Sequence, residues 1–184
     1  MEYASRYESP LGWITLTSDG EALTGLRFDG REHAPDAPED GREERPLPVF
    51  ETAKRWLDVY FSGRAPDFTP PLKRNATPFR EAVRDVLLTV PYGQTVTYGE
   101  IAKRLAGRNG TRRTSARAVG GAVGHNPIWL IIPCHRVVGA DGALTGYAGG
   151  IERKAELLKL EGADLPKRVV PESGTALRVP EREI

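Results

Sequence analysis

The 184-residue chain has one cysteine, Cys134, set in the run IIPCHRVV between Pro133 and His135. A thiol beside an imidazole can act as a nucleophile. The ring takes the thiol proton and leaves a thiolate, the reactive form of sulfur. A carboxylate is then needed to hold the ring's other nitrogen, and spacing alone does not identify it. Adjacency in sequence does not by itself join sulfur to ring. In an extended chain, neighbours i and i+1 point to opposite faces, so the two meet only if the chain turns at Pro133–His135 or a water bridges them. The apolar residues before the proline also allow an inert packing cysteine. A lone thiol cannot form an internal disulfide, which fits a reducing cytoplasm.

The elements that must position these groups lie in the second half of the chain. In TPFREAVRDVLLTVPYG, Thr77 is placed as N-cap and Pro78 at the first helical position. The buried stripe expected there is Phe79, Val83, Val86, Leu87 and Val90. TYGEIAKRLAG opens with a capping box of Thr97 and Glu100, with Ile101 and Leu105 facing inward. A basic loop leads to a third helix in TSARAVGGAVGHN. WLIIPCHRVV reads as a strand, and GADG turns it. The last helix, GGIERKAELLKLEG, has Ile151, Ala155 and Leu158 on its core face and Gly162 as C-cap.

The first half is of another kind. YESPLGWITLTSDGEALTGLRF reads as an antiparallel meander with turns at Pro10–Gly12 and Ser18–Glu21. A polar, proline-rich connector follows. PVFETAKRWLDVYFSG is then an amphipathic helix with Val49, Ala53, Trp56, Leu57, Tyr60 and Phe61 on one face. The expected organisation is an α/β protein: domain 1–75, an antiparallel sheet plus helix; domain 76–165, mainly helical; and a loose tail, 166–184. No apolar run approaches the length of a membrane span, and the N-terminus is not that of a signal peptide.

Charge is unevenly placed. Residues 1–75 carry ten basic and fourteen acidic side chains, residues 76–162 twelve and seven. A basic second half suits a polyanionic partner. The helices at 97–106 and 115–125 have the outline of a helix-turn-helix, an outline shared by many packed helix pairs. Between residues 98 and 126, Lys103, Arg104, Arg108, Arg112, Arg113 and Arg117 face a single acid, Glu100. That balance suits phosphate contacts. Gly120, Gly121 and Gly124 each cost about 1 kcal/mol against alanine inside a helix. A face stripped of side chains lets another backbone approach closely, but it has no arms to read base edges. DNA bound there would be held with little sequence preference. Arg117 stands alone on this face, placed either to fill the gap left by an extruded base or to contact a phosphate.

PCHRVV, ARAVGGAVGHNP, GYAGG and LLKLEG together resemble the methylated-DNA–protein-cysteine methyltransferases, the O6-alkylguanine-DNA alkyltransferases. The resemblance is strong over residues 76–162 and loose before them. It implies a ribonuclease-H-like N-terminal domain and a helix-turn-helix that docks in the minor groove of double-stranded DNA carrying alkylated guanine. It implies Cys134 as alkyl acceptor, His135 as its base through a water, Glu161 orienting His135, and Asn126 bracing the active-site loop. Tyr98 would give a proton toward the leaving guanine. Arg117 would enter the base stack, while Ser115, Ala116 and Gly120 lie against the DNA backbone. Val137, Tyr147 and Ala148 would line the base pocket, the Val137 backbone accepting from the exocyclic amine.

The implied activity is DNA repair by one irreversible transfer per molecule, from O6-alkylguanine and to a lesser degree O4-alkylthymine in flipped-out DNA. No cofactor or metal is expected, nor any membrane partner; a cytoplasmic monomer is. Ala148 stands where some relatives have a hydroxyl residue, and the loop 107–114 is longer than in some. Two other readings remain at this stage: an alkyltransferase-like protein that flags lesions without removing them, against which Cys134 argues, and a Cys-His hydrolase.

Overall fold

A computed structural model describes residues 2–30, 43–106 and 114–165. Most of the expected basic loop at 107–114, the tail at 166–184 and most of the acidic connector lie outside the described residues. The chain divides into two compact units, with the division between Lys73 and Arg74.

In the first unit, strands β1 (Tyr3–Ser9), β2 (Gly12–Ser18) and β3 (Leu23–Phe28) form the expected meander. A two-residue strand, β4 (Glu43–Glu44), adds to the β1 edge in parallel, giving the order β3-β2-β1-β4. Helix α1 (Pro48–Phe61) starts on proline and buries Val49, Phe50, Ala53, Trp56, Leu57 and Tyr60. It lies against β1 and β2, and Ile14, Leu16, Leu23 and Leu26 are fully buried. Phe61 is only half-buried and stacks on Tyr7, while Phe50, absent from the expected stripe, is fully buried.

The second unit opens with α2 (Pro78–Leu87), whose N-cap Thr77 accepts a hydrogen bond from the Arg80 amide. Its stripe of Val83, Val86 and Leu87 is buried, with Val90 just beyond it. Phe79 differs from expectation at 36% exposure. It sits in the first turn and lines an open groove with Ala118, Gly121 and Ala122, where it stays in part solvent-facing. The Thr97–Glu100 capping box forms as expected: Thr97 N–H donates to Glu100 at 2.7 Å and Glu100 N–H to Thr97 at 3.1 Å. It starts α3 (Tyr98–Ala106), which follows the short strand β5 (Val96–Thr97). Helix α4 (Ala116–Gly124) is capped by Ser115 and anchored by buried Val119 and Val123. Helices α2, α3 and α4 contact one another.

The expected strand over WLIIPCHRVV does not form. Only β6 (Val137–Val138) is extended, pairing in parallel with β5. Helix α5 (Ile151–Leu160) then packs on the turn that carries Cys134. Gly162, at φ +70°, ends α5 as expected, and Ala163 N–H returns to Leu158. Ile151 is 37% exposed rather than in the core, because the buried stripe of α5 begins at Lys154.

Candidate active site

Tight turns replace the strand and decide where the sulfur sits. Leu130 has φ +66°, and the Ile131 amide bonds back to the Trp129 carbonyl at 2.7 Å. A non-glycine residue holds this strained three-residue turn only when its surroundings impose it. Pro133, at φ −79° and ψ 63°, makes a second such turn of the relaxed kind, with Cys134 N–H on Ile132 O at 2.7 Å. One turn of 3-10 helix, Cys134–Arg136, follows. The proline ring supplies the required φ. The chain therefore does turn at Pro133–His135, the condition under which thiol and ring can meet.

Asn126 clamps this bend from the end of α4. Its amide donates to Ile128 O at 3.1 Å and Ile132 O at 3.0 Å, and its oxygen accepts from Ile128 N–H at 3.1 Å.

Below the sulfur lies a buried charged cluster. His135 Nε2 is 2.6 Å from Glu161 Oε1, with both side chains fully buried. Arg136 donates to both carboxylate oxygens, Nε to Oε2 at 2.8 Å and Nη2 to Oε1 at 3.1 Å. It also donates to Val90 O at 2.7 Å and lies over the Tyr92 ring. Gly93 N–H adds a further bond to Glu161 Oε2 at 3.1 Å. Gly93 has φ +76°, and a Cβ there would come 2.8 Å from the Glu161 carbonyl oxygen, so the position takes only glycine without strain.

Burial pushes the Glu161 carboxyl up, but the charge and hydrogen bonds of His135 and Arg136 outweigh it and hold the group at about 2. Burial lowers the His135 pKa against the raising effect of Glu161, so the ring is neutral at pH 7. Arg136 keeps the carboxylate ionised in that state. An ionised carboxylate only accepts, so the ring proton must sit on Nε2, leaving Nδ1 as the basic nitrogen.

Cys134 is 5% exposed. Burial pushes its thiol up to about 11, against the opposing effect of Asn126 and the positive charge of Lys154. Lys154 is fully buried. Its Nζ donates to Val137 O at 2.5 Å and Thr145 O at 2.8 Å, and burial lowers its pKa from 10.5 to about 8. The sulfur is thus buried among polar and charged groups, which an inert packing cysteine would not need. Sequence reasoning missed Arg136 and Lys154. For Lys154 a signal existed: it falls in helical phase with Ala155 and Leu158, on the apolar side of α5.

The other expected residues surround this centre. Tyr98, at the start of α3, donates to Thr145 O in a long bond of 3.4 Å. A Cβ on Gly120 would touch its ring at 3.7 Å, and one on Gly146 its hydroxyl at 3.6 Å. Tyr98 therefore spans from the α4 glycines to the loop before α5. Val137 is fully buried, and Tyr147 is 9% exposed with a buried hydroxyl that makes no hydrogen bond. Ala148, Ser115, Ala116 and Arg117 are exposed, and Gly120 is half-buried. The structure joins His135 and Glu161 by a buried hydrogen bond, and Asn126 bonds to the bend that leads into Cys134. Arg117, Ser115 and Ala116 stand apart from it on the surface of α4.

A family model described as 6-O-methylguanine DNA methyltransferase, DNA binding domain, matches residues 78–163. A second, described as the ribonuclease-like domain of the same protein, matches residues 3–74. The methylated-DNA–protein-cysteine methyltransferase of Haemophilus influenzae is 42% identical over 160 residues, 86% of each chain. A crystal structure of the Mycobacterium tuberculosis O6-methylguanine methyltransferase aligns at TM-score 0.75 and 42% identity, covering 91% of this chain and 96% of that one. The Mycobacterium tuberculosis OGT solved in complex with DNA aligns at TM-score 0.73 and 41% identity, covering 91% and 95%. With both halves matched in order and identity above 40% across most of its length, this chain belongs to the 6-O-methylguanine DNA methyltransferase family.

Proposed function

We propose that the protein repairs alkylated DNA by moving the alkyl group from O6-alkylguanine, and less efficiently from O4-alkylthymine, onto Cys134. The observation that carries this reading is the Asn126–Cys134–His135–Glu161 centre in a chain of this family. DNA lies along α4 in the minor groove, with Ser115, Ala116 and Gly120 against its backbone. Arg117 fills the stack where the damaged nucleotide has turned out. Residues 76–165 carry both binding and chemistry, and residues 1–75 support them.

The extruded guanine rests against Val137, Tyr147 and Ala148. The Val137 carbonyl has two lone pairs; Lys154 uses one, and the other accepts from the exocyclic amine. The thiol proton moves through a water to His135 Nδ1, and Glu161 stabilises the resulting imidazolium. The Lys154 charge lowers the cost of the thiolate. Sulfur attacks the alkyl carbon in line; the S–C bond forms as the C–O bond breaks, and the electron pair passes into the purine. Tyr98 gives its proton to the leaving guanine and regains one from the pair that holds the thiol proton. The product is guanine and a thioether that water does not cleave, so each molecule acts once. The work belongs in the cytoplasm, where the thiol stays reduced.

The test is intact mass after incubation with an O6-methylguanine duplex. A gain of one methylene mass per chain, mapped to Cys134, is expected. Cys134→Ser should abolish the gain while lesion binding stays within about threefold, since hydroxyl for thiol is a small change of volume. Transfer by the serine variant, or repeated turnover on an ester or amide, refutes the assignment. Binding without any mass gain in the unmodified chain points to a lesion-flagging protein instead.

A further inference from the structure

We infer that the cleft between α2 and the end of α4 is a binding site for a small organic anion, a carboxylate on an apolar body, which braces the bend holding Cys134. The cleft and its occupant are independent of the alkyl-transfer reading.

The cleft has a volume of about 180 Å³. That is below the roughly 300–1,000 Å³ of sites for drug-sized ligands, so its occupant is a molecule of about one ring. Val83 and Leu87 of α2 and Ile132 of the bend line it and are buried, while Arg80 and His125, also in the lining, are exposed. An apolar floor under a polar, open rim suits a ligand with one apolar end and one polar end.

The arginines set the charge of the polar end. Glu81 is the only acid in the lining among the described residues. Its carboxylate already accepts from Arg74 at 3.0 Å and from Ala76 N–H at 3.1 Å. Arg84, also in the lining, lies 3.8 Å from that carboxylate, beyond hydrogen-bond length. Arg74 in turn binds Asp85 at 2.7 Å. Three arginines, Arg74, Arg80 and Arg84, thus meet two acids, and the balance is positive. The Arg84 side chain is only 11% exposed, and burial lowers its pKa from the ordinary value. A carboxylate in the cleft offsets that burial, and the guanidinium fork matches its two oxygens. Inorganic phosphate brings charge but nothing to lay on the apolar floor.

Ile132 joins the cleft to the cysteine. Its carbonyl accepts from Asn126 Nδ2 at 3.0 Å and from Cys134 N–H at 2.7 Å. Asn126 itself lines the cleft. A ligand resting on Ile132 therefore sits on the residue from which the Cys134 turn hangs. Opening the bend dismantles the site, so a ligand that binds only the closed bend opposes its opening.

The experiment uses the full chain with benzoate as probe. An NMR titration should show saturable shifts at the amides of Val83, Leu87, Ala122 and Ile132. The dissociation constant should be about a millimolar or tighter, the range for a ligand of about nine heavy atoms. At about ten times that concentration, hydrogen exchange of the Cys134 amide should slow about tenfold. Benzamide, of the same shape without the charge, and inorganic phosphate should each bind at least about tenfold more weakly, as should benzoate to Arg84→Met. Ala122→Leu, which fills the cleft, should abolish binding. Benzamide or Arg84→Met within about twofold of the reference overturns the inference, as does unchanged Cys134 exchange at saturation. If phosphate matches benzoate and a short duplex displaces both, the cleft seats a DNA phosphate and the inference fails. Where Arg84→Met does not fold, the benzamide and Ala122→Leu measurements still decide.

Discussion

Glu161→Gln changes one atom in shape and almost everything in hydrogen bonding. The carboxylate accepts from His135, twice from Arg136 and once from Gly93, at 2.6 to 3.1 Å. A glutamine has one accepting oxygen and one donating NH2. If the NH2 lies on the Oε2 side, it faces the N–H groups of Arg136 and Gly93. If it lies on the Oε1 side, it faces His135 Nε2 and forces the ring proton onto Nδ1, removing the base. Both arrangements leave the buried Arg136 without its counter-charge, a loss of about 3–5 kcal/mol. The lowering of the Glu161 carboxyl from 4.5 to about 2 corresponds to about 3 kcal/mol, an independent route to the same size. Because the folded value is the lower one, this stabilisation is fully present above the unfolded value and is lost as pH falls through the folded one. Chemical denaturation should therefore show the variant about 3 kcal/mol less stable at pH 7, with the gap closing between pH 4.5 and 2. Single-turnover methyl transfer should fall by about 10²–10⁴-fold, the usual worth of a positioned base. Transfer within about threefold of the unmodified chain, with an unchanged denaturation midpoint, would refute the role given to the Glu161–His135–Arg136 cluster.

Lys154→Met should slow methyl transfer at pH 7 by about tenfold, equal to about 1.4 kcal/mol of lost thiolate stabilisation. Lys154 carries its charge only below about pH 8, so the gap to the unmodified chain should narrow as single-turnover rates are followed from pH 7 to 9; a constant gap argues for a purely structural lysine. Gly93→Ala should destabilise the fold by about 1–3 kcal/mol, read by thermal melting, from its positive φ and the approach to Glu161 O. Gly121→Leu should act in the opposite way. A Cβ there meets nothing within 4 Å, and the helix gains up to about 1 kcal/mol, yet duplex DNA affinity should drop at least about tenfold because the bare face of α4 is filled. Equal or tighter binding by that variant, measured by anisotropy, removes the glycine face from the interface.

What the sequence made legible were the features set by a few neighbouring residues. Thr77, the Thr97–Glu100 pair and Ser115 each satisfy helix N–H groups within three positions, so types and spacing were enough to place three helix starts. The thiol–imidazole pair was equally visible, and the family pattern led from it to Glu161 and Asn126. The bend that makes the pair workable was not visible. WLIIP has strand composition, and only the Asn126 amide, bonding to Ile128 O and Ile132 O, together with the Leu130 turn, makes it fold back. Nor did charge reveal burial. Arg136 meets Glu161 25 residues away, and Lys154 meets Val137 O 17 residues away; by charge alone both pass for solvent-facing cations, and only the helical phase of Lys154 says otherwise. Periodicity failed where it named a face without saying how far the face is covered, so Phe79 and Ile151 stay exposed while Lys154 takes a core place. The chemistry depends on this less legible layer. Arg136 keeps Glu161 ionised beside a neutral ring, and Lys154 opposes the burial that raises the thiol. Without those two cations the PCH run is a buried thiol beside a buried imidazole, and neither has reason to give up or take a proton.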